Sequence, residues 1–312
     1  MTGSTRGYLE AKRTVDDRAL NRRVLDRFAA ELGRLAGADG EASDGPTGEE
    51  VRIVELGAGV GTMIARLASW GLLPDRVTYR AVDRDRGRVR RARERVPAWL
   101  DEAGYDVEAD DERIVATSGE RRLDATLAVA DAFTIDDEAD AVIAAAFLDL
   151  VDLDRALPAV ADLLRPGGLL YAPITFDGGT AFAPSEPADD RIERLYHRHM
   201  DEVRDAPGSS RAGRELLAAL PGSGAASGSE FEVLAAGGSD WVVRPVDGAY
   251  PADEAAFLGH LLETIDGALA DYPPAVLDPA VREAWVERRL AALERGDLVA
   301  VVHNLDVLGR RT

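Results

Sequence analysis

Residues 51–62, with the sequence VRIVELGAGVGT, restrict the fold of this chain more than any other stretch. The first half, Val51–Leu56, is a β-branched apolar run typical of a strand buried on both faces of a parallel sheet. Glycines that permit positive φ and a close approach of backbone to a ligand follow at alternate positions, Gly57, Gly59 and Gly61. Residues 63–70 are predicted to form a helix whose free N–H groups point into this turn. The stretch therefore predicts a strand, a glycine-rich loop and a helix, an arrangement that holds nucleotide-like ligands.

The glycine spacing separates this loop from two other ligand-binding loops. A dinucleotide fingerprint, G-x-G-x-x-G, needs glycine at position 62, where this chain has Thr62, and no Gly-Lys-Ser/Thr follows as in a P-loop. The sequence ELGAGVG, residues 55–61, instead resembles motif I of the class I S-adenosylmethionine-dependent methyltransferases, usually written E/D-x-G-x-G-x-G. The resemblance implies that S-adenosylmethionine is the cofactor and that its methionine end is held by Glu55, Gly57, Ala58, Gly59 and Gly61.

Acids stand at the ends of the next two predicted strands. Residues 77–82 lead into Asp83, about 20 residues beyond the glycines, where α/β nucleotide folds place an acid that accepts hydrogen bonds from ribose hydroxyls. The alternative is that Asp83 caps the helix predicted for residues 86–100. Residues 123–130 lead into Asp131, and the resemblance implies that this acid accepts the adenine amino group beside Ala132 and Phe133. The alternative is that Asp131 only caps a turn.

The resemblance continues through the next two strands. Residues 140–146 correspond to motif IV, whose end faces the transferable methyl group; relatives often carry an acid, asparagine or histidine there, whereas this chain has Ala145 and Phe147. Residues 163–176, LLRPGGLLYAPITF, resemble the family's helix, tight turn and fifth strand. The predicted fold is therefore α/β, a Rossmann-like seven-stranded, mostly parallel sheet with helices on both faces and helical cap elaborations. The resemblance implies that the last strand is antiparallel.

The chain is predicted to contain four segments. Residues 1–50 form an N-terminal helix, at 8–35, and a linker, at 37–50. Residues 51–176 form the cofactor-binding core. Residues 177–230 form a substrate cap inserted after the fifth strand, which opens with a loop at 177–184. Residues 231–312 supply the C-terminal strands, with a helical insertion between them.

The candidates for the acceptor side of the site are aromatic residues and histidines. Tyr8, Phe147, Phe176 and Tyr196 are predicted to contact the methyl acceptor. His197 and His303 are candidate general bases, which are needed only if the acceptor carries a proton; the alternative for His303 is a buried histidine with satisfied hydrogen bonds. His197 and His199 do not share a helix face, so no metal site is predicted.

The charge balance indicates where the protein works and what it binds. The chain has 57 acidic and 37 basic residues, a net charge of −20, and Lys12 as its only lysine. Such a surface is typical of a halophilic cytoplasm and argues against binding to nucleic acid. The sequence has no cysteine and no apolar stretch long enough to span a membrane, so a cytoplasmic location is expected. Together with the family resemblance, this predicts an enzyme that acts on a small-molecule methyl acceptor. The alternatives are an NAD(P)-dependent oxidoreductase and a non-catalytic S-adenosylmethionine-binding regulatory or scaffold protein.

Overall fold

The computed structural model describes residues 4–37, 49–222 and 231–312, which build a mixed sheet with helices on both faces. Its centre consists of five parallel strands in the spatial order β5 (Arg121–Val129), β2 (Arg76–Asp83), β1 (Val51–Leu56), β6 (Ala139–Ile143) and β7 (Leu164–Ala183). The strand β10 (Val299–Arg311) pairs antiparallel with β7, and β8 (Phe231–Gly238) pairs antiparallel with β10. The predicted fold class is confirmed, including the antiparallel last strand.

The sheet has ten strands among the described residues, three more than predicted. A hairpin of β3 (Asp106–Ala109) and β4 (Arg113–Ser118) extends the β5 edge, and the short β9 (Trp241–Val243) pairs with β10. The three extra strands lie outside the continuous run of seven strands, which has the order β5, β2, β1, β6, β7, β10 and β8.

Neighbouring residues of the strands supply apolar side chains to opposite faces of the sheet. Ile53 packs in the layer that contains α3 (Arg22–Leu35), α4 (Thr62–Ser69) and α5 (Arg86–Glu102). Val54 packs in the layer that contains α6 (Leu153–Leu163) and α8 (Ala212–Gly222). A strand buried on both faces explains the continuous apolar run of the sequence.

A third apolar cluster lies around the long ends of β7 and β10. It joins α7 (Asp189–Arg198), α9 (Glu254–Ala270) and α10 (Pro279–Glu294), with Phe257 and Trp285 fully buried. A π-helical turn, His199–Val203, continues α7. From this cluster, α7, the π-helical turn and α9 contribute residues to the wall of the large cavity described below.

The N-terminal region forms three helices where one, at residues 8–35, was predicted. They are α1 (Ser4–Ala11), α2 (Arg13–Ala19) and α3. The break between α2 and α3 falls at Leu20, whose ψ of 126° is extended, and the side chain of Asn21 then caps α3 by accepting from the Val24 N–H at 3.3 Å. The Asn21 N–H donates to buried Asp306 at 2.8 Å, and the other Asp306 oxygen accepts from the Ile174 N–H at 2.8 Å. The prediction was wrong because this contact between distant residues fixes the break. Most of the predicted linker, residues 38–48, lies outside the described residues.

The segment after the fifth strand also differs from the prediction. Residues 177–183, predicted to be loop, continue β7, because residues 180–183 pair with residues 299–302 of β10. The predicted cap contains α7, the π-helical turn and α8, while its residues 223–230 lie outside the described part. Within the described ranges, no helix combines the length and apolarity needed to cross a membrane.

Candidate functional site

A cavity of about 710 Å³ lies where β1, β2, β5 and β6 end. Parallel strands that end at one edge of an open α/β sheet form the usual ligand crevice of such folds. The first two helices, the π-helical turn and α9 supply the opposite wall. The cavity wall includes all but one of the predicted cofactor-binding residues: Glu55, Gly57, Ala58, Gly59, Asp83, Asp131, Ala132, Phe133 and Ala145.

The glycine-rich loop needs the conformations that only glycine adopts easily. Gly57 and Gly59 line the cavity with φ of +67° and +59°. A Cβ placed on Gly57 would overlap the ring of Phe147, so a side chain there is excluded by space as well as by backbone conformation. Gly61, with φ of +78°, stands apart from the cavity wall and occupies the N-cap position of α4.

Glu55 is the buried acid at the end of β1. Its side chain is 2% exposed, and the Tyr79 hydroxyl donates to Oε2 at 2.7 Å. Burial raises the pKa of Glu55 to about 7, against the lowering effects of the Tyr79 hydrogen bond and the Arg66 charge. A cationic group entering the cavity would therefore meet a carboxyl group that readily gains charge near neutral pH.

Asp83 and Asp85 divide the two roles that the sequence left open. Asp83 lines the cavity, and its two oxygens accept from the backbone N–H groups of Gly59 at 2.9 Å and Asp85 at 2.8 Å. Asp85 is the N-cap of α5, where its side chain accepts from the N–H groups of Gly87 and Arg88. Asp83 is therefore oriented by backbone donors, and each of its oxygens keeps a lone pair for a ligand.

The end of β5 combines a turn with a cavity wall. The Asp131 carboxylate accepts from the Phe133 N–H at 3.0 Å and closes a turn, as the alternative for this acid required. The same residues line the cavity, and the ring of Phe133 lies 6.4 Å from that of Phe147. A turn and a ligand contact are thus compatible at this position.

The turn after β6 carries Asp149, which the sequence left open between reaching the site and lying on a surface turn. Phe147 lines the cavity beside Ala145 and begins the turn that carries Asp149. The Oδ1 atom of Asp149 is buried and has no hydrogen-bond partner among the described residues, and burial raises the pKa of this acid. Since a buried oxygen without a partner is costly, this atom is suited to receive a hydrogen bond from a ligand.

The opposite wall is aromatic and carries the only lysine. The Tyr8 ring lies 4.3 Å from the ring of His260 and stacks at 5.5 Å on Phe257, which docks α1 on α9. Lys12 lies 3.5 Å from Asp16 and 4.8 Å from the centre of the Trp241 ring. Tyr8, Lys12, Asp16 and Trp241 all line the cavity.

The residues predicted for the acceptor side of the site divide into those that line the cavity and those that do not. Phe176 and Tyr196, predicted to contact the acceptor, line the cavity, and burial raises the pKa of Tyr196 to about 12. His197 instead lies 3.3 Å from the Thr180 hydroxyl, and burial lowers its pKa. His303 pairs with Asp240 at 2.7 Å. Neither of these two histidines is among the cavity-lining residues, so their role as bases stays a prediction that their positions do not support.

His199 is the second histidine of the pair from which the sequence predicted one base, with His197 named as the candidate. It is 8% exposed, lines the cavity and pairs with Asp271 at 2.7 Å. Its position three residues after Tyr196 was the available signal, because residues three apart share a helix face. Across residues 4–37, 49–222 and 231–312, no group of three or more His, Cys, Asp or Glu is placed to hold a metal ion.

Comparisons with known proteins give structural similarities alone. The sequence matches no known family model, and no curated protein is significantly similar to it. The structure resembles a SAM-dependent methyltransferase from Geobacter sulfurreducens, crystallised with S-adenosyl-L-homocysteine, at 14% identity and a TM-score of 0.43, covering 95% of this chain and 93% of that one. It also resembles a putative type II methyltransferase from Anaeromyxobacter dehalogenans, at 21% identity and a TM-score of 0.43, covering 91% and 95% of the two chains. A SAM-dependent methyltransferase from Methanosarcina mazei is similar at 15% identity and a TM-score of 0.43, covering 84% and 92%.

Proposed function

We propose that this protein is an S-adenosylmethionine-dependent methyltransferase that acts on a small-molecule acceptor. The observation that carries the proposal is the meeting of Glu55, the glycine-rich loop, Asp83 and Asp131 at one cavity, each at the end of a neighbouring strand. Buried carboxylates suit the ammonium and ribose hydroxyls of such a cofactor, and Phe133 suits a flat base.

The residues present fit the cofactor in their chemistry. Gly57 and Gly59 leave the wall of the cavity without side chains, so a ligand can approach the backbone closely. Asp83 is held by two backbone donors and would accept hydrogen bonds from the ribose, and Glu55 would meet the methionine end. When bound, S-adenosylmethionine supplies an electrophilic methyl group, so the protein contributes mainly orientation and exclusion of water.

A small acceptor is favoured by how the cavity is enclosed. The walls from α1, α2, α7 and α9 approach the strand ends closely enough to leave about 710 Å³. A net charge of −20 also disfavours a nucleic-acid acceptor, which needs clustered cations. The acceptor would lie against Tyr8, Phe147, Phe176 and Tyr196, which all line the cavity.

Calorimetric titration in molar salt tests the cofactor. S-adenosylmethionine and S-adenosylhomocysteine should bind saturably, and NAD should not. Asp83→Asn should weaken binding by about 10-fold to 100-fold, the value of a hydrogen bond to a charged group. The matched variant Asp85→Asn alters only the N-cap of α5 and should bind normally.

Each alternative function has its own outcome in these measurements. A preference for NAD would replace the proposal with an oxidoreductase. If the protein binds S-adenosylmethionine but forms no S-adenosylhomocysteine when extracts of small metabolites are supplied as acceptors, it would instead be a regulatory or scaffold protein.

A further inference from the structure

Two histidine–aspartate pairs at 2.7 Å occur in the part of the chain that the structure describes, and they occupy different places. His199 pairs through Nε2 with Asp271, and both residues line the large cavity. His303 pairs through Nδ1 with Asp240 and does not line it. The chain thus carries a candidate dyad and a matched pair outside the cavity.

The pairing determines which nitrogen of His199 can act as a base. A carboxylate only accepts hydrogen bonds, so the proton shared with Asp271 belongs to Nε2. Nδ1 then keeps its lone pair, and within the described ranges Nδ1 makes no hydrogen bond. An aspartate that holds a histidine in one tautomer and stabilises its protonated form is the arrangement of an oriented general base.

The backbone presents this histidine in an unusual way. His199 begins the π-helical turn, His199–Val203, that follows α7. Single π-helical turns occur frequently at functional sites, because they change the direction of side chains along a helix. His199 lines the cavity, whereas His197, two residues earlier, does not line it and lies 3.3 Å from the hydroxyl of Thr180.

Other charged or titratable groups border the same cavity. They come from the first two helices, the turn after β6, the helix of His199 and α9: Lys12, Asp16, Asp149, Tyr196, Arg204 and Glu263. The second cavity histidine, His260, has its ring 4.3 Å from that of Tyr8 and its Nδ1 3.6 Å from a carboxylate oxygen of Glu263. The His199 ring makes the closer contact with a carboxylate, at 2.7 Å from Asp271.

We propose, resting on the methyltransferase function above, that His199 is the general base and that the acceptor is a phenol. The aromatic side chains of Tyr8, Phe176, Tyr196 and Trp241 line the cavity and suit a flat aromatic ring. In the step, the phenol oxygen bonds to the methyl carbon, the C–S bond breaks with its electron pair on sulfur, and the phenol proton moves to Nδ1 of His199. The imidazolium that forms is stabilised by Asp271 and returns its proton to water.

A base is useful for this class of acceptor. A phenol resembles the tyrosine side chain, with a pKa of about 10, so it is almost entirely protonated at neutral pH. An oriented base accelerates such a proton transfer by about 10²-fold to 10⁴-fold.

The first test needs no acceptor. Nitrogen-15 NMR of the histidine rings in the ligand-free protein should show His199 as the Nε2–H tautomer, with an unprotonated Nδ1. Asp271→Asn should change the His199 signals, whereas Asp240→Asn should change only those of His303. The assignment would be overturned if the His199 signals showed the proton on Nδ1, or if they were the same in Asp271→Asn as in the wild type.

The second test measures catalysis with a panel of simple phenols and matched anilines and S-adenosylmethionine. With the most active phenol, His199→Gln should lower kcat/KM by about 10²-fold to 10⁴-fold, and Asp271→Asn by about tenfold to 100-fold. Asp240→Asn should leave the rate unchanged, and all variants should bind S-adenosylhomocysteine as the wild type does.

The outcomes separate this inference from the proposed function. Cofactor binding without turnover of any phenol, or full activity in His199→Gln, would overturn the inference and leave the methyltransferase proposal in place. Loss of activity in His260→Gln but not in His199→Gln would assign the base to the other histidine. Failure of the wild type to bind either cofactor form would overturn both.

Discussion

The hydroxyl oxygen of Tyr79 lies 2.7 Å from Oε2 of Glu55, and both side chains are shielded from solvent. Burial outweighs this hydrogen bond and raises the pKa of Glu55 to about 7. The carboxyl group therefore changes charge in the pH range where the protein is expected to bind a cationic cofactor.

The affinity for S-adenosylmethionine should depend on pH. Only the charged form of Glu55 attracts the cofactor's ammonium group, so affinity should fall below pH 7, by up to about tenfold per pH unit. Calorimetry between pH 6 and 8, in buffers of different ionisation enthalpy, would measure this change and the proton released on binding. Tyr79→Phe removes a hydrogen bond that lowers the pKa, so the midpoint should move to higher pH. An affinity independent of pH would show that Glu55 does not contact the charged end of the ligand.

The stability of the ligand-free protein should depend on the same group. Because folding raises the pKa of Glu55 from 4.5 to about 7, the folded state favours the protonated form. The stability that this preference provides is complete below pH 4.5 and is lost as the pH rises to about 7, by about 3 kcal/mol. Glu55→Gln should therefore unfold at higher temperature than the wild type at pH 8, although it binds the cofactor poorly. Equal melting temperatures at pH 8 would indicate that the buried carboxylate is solvated.

Gly57→Ala should destabilise the protein more than a matched glycine substitution. At Gly119, with φ of +62° and open space around it, alanine costs only the backbone strain of about 1–2 kcal/mol. At Gly57 the added methyl group also meets the ring of Phe147. Urea unfolding in molar salt would compare the two variants. Adding Phe147→Ala to Gly57→Ala should restore part of the loss, and absence of any difference between the two glycines would show that the ring moves freely aside.

Arg18→Ala should loosen the wall made by α2 and α9. Glu254 is fully buried, and it receives hydrogen bonds from Arg18, one of them 2.9 Å long, and from Thr14 at 3.3 Å. Removing the arginine leaves the Glu254 carboxylate buried without its cationic partner. The free energy of unfolding should fall by about 2 kcal/mol, less than for a fully buried pair because the Arg18 side chain is partly exposed. The exposed pair of Arg295 and Asp297 provides the control, since Arg295→Ala should cost less than about 0.5 kcal/mol. Recovery of stability in Arg18→Ala combined with Glu254→Gln would confirm the cause, and its absence would contradict it.

The wall of the candidate site at the strand ends was largely predictable because its signals are local. The strands β1, β2 and β5 each end within a few residues of an acid or a glycine, and parallel strands bring those ends to one edge. Asp83 and Asp85 could not be separated with certainty by sequence alone, since both stand where a helix begins. The structure separates them through the N–H group of Gly59, which Asp83 binds across the loop.

The acceptor side was less predictable because it depends on contacts between distant residues. Residues 177–183 continue β7 because this part of the chain pairs with β10. No local sequence pattern in these residues predicts that pairing. The helix spacing places His199 on the face of Tyr196, but Asp271, which pairs with His199, lies 72 residues further on. For Asp149 the sequence left a surface turn as an equal alternative, and its buried, unpartnered Oδ1 atom is evident only among the described residues of the structure.

The contact between Asn21 and Asp306 has a consequence for biosynthesis. A ribosome produces α3 more than 250 residues before β10, yet the carboxylate that fixes the start of α3 belongs to β10. The start of α3 therefore cannot take its final position until β10 has emerged. A truncated product that lacks β10 would leave this end of α3 without its carboxylate partner.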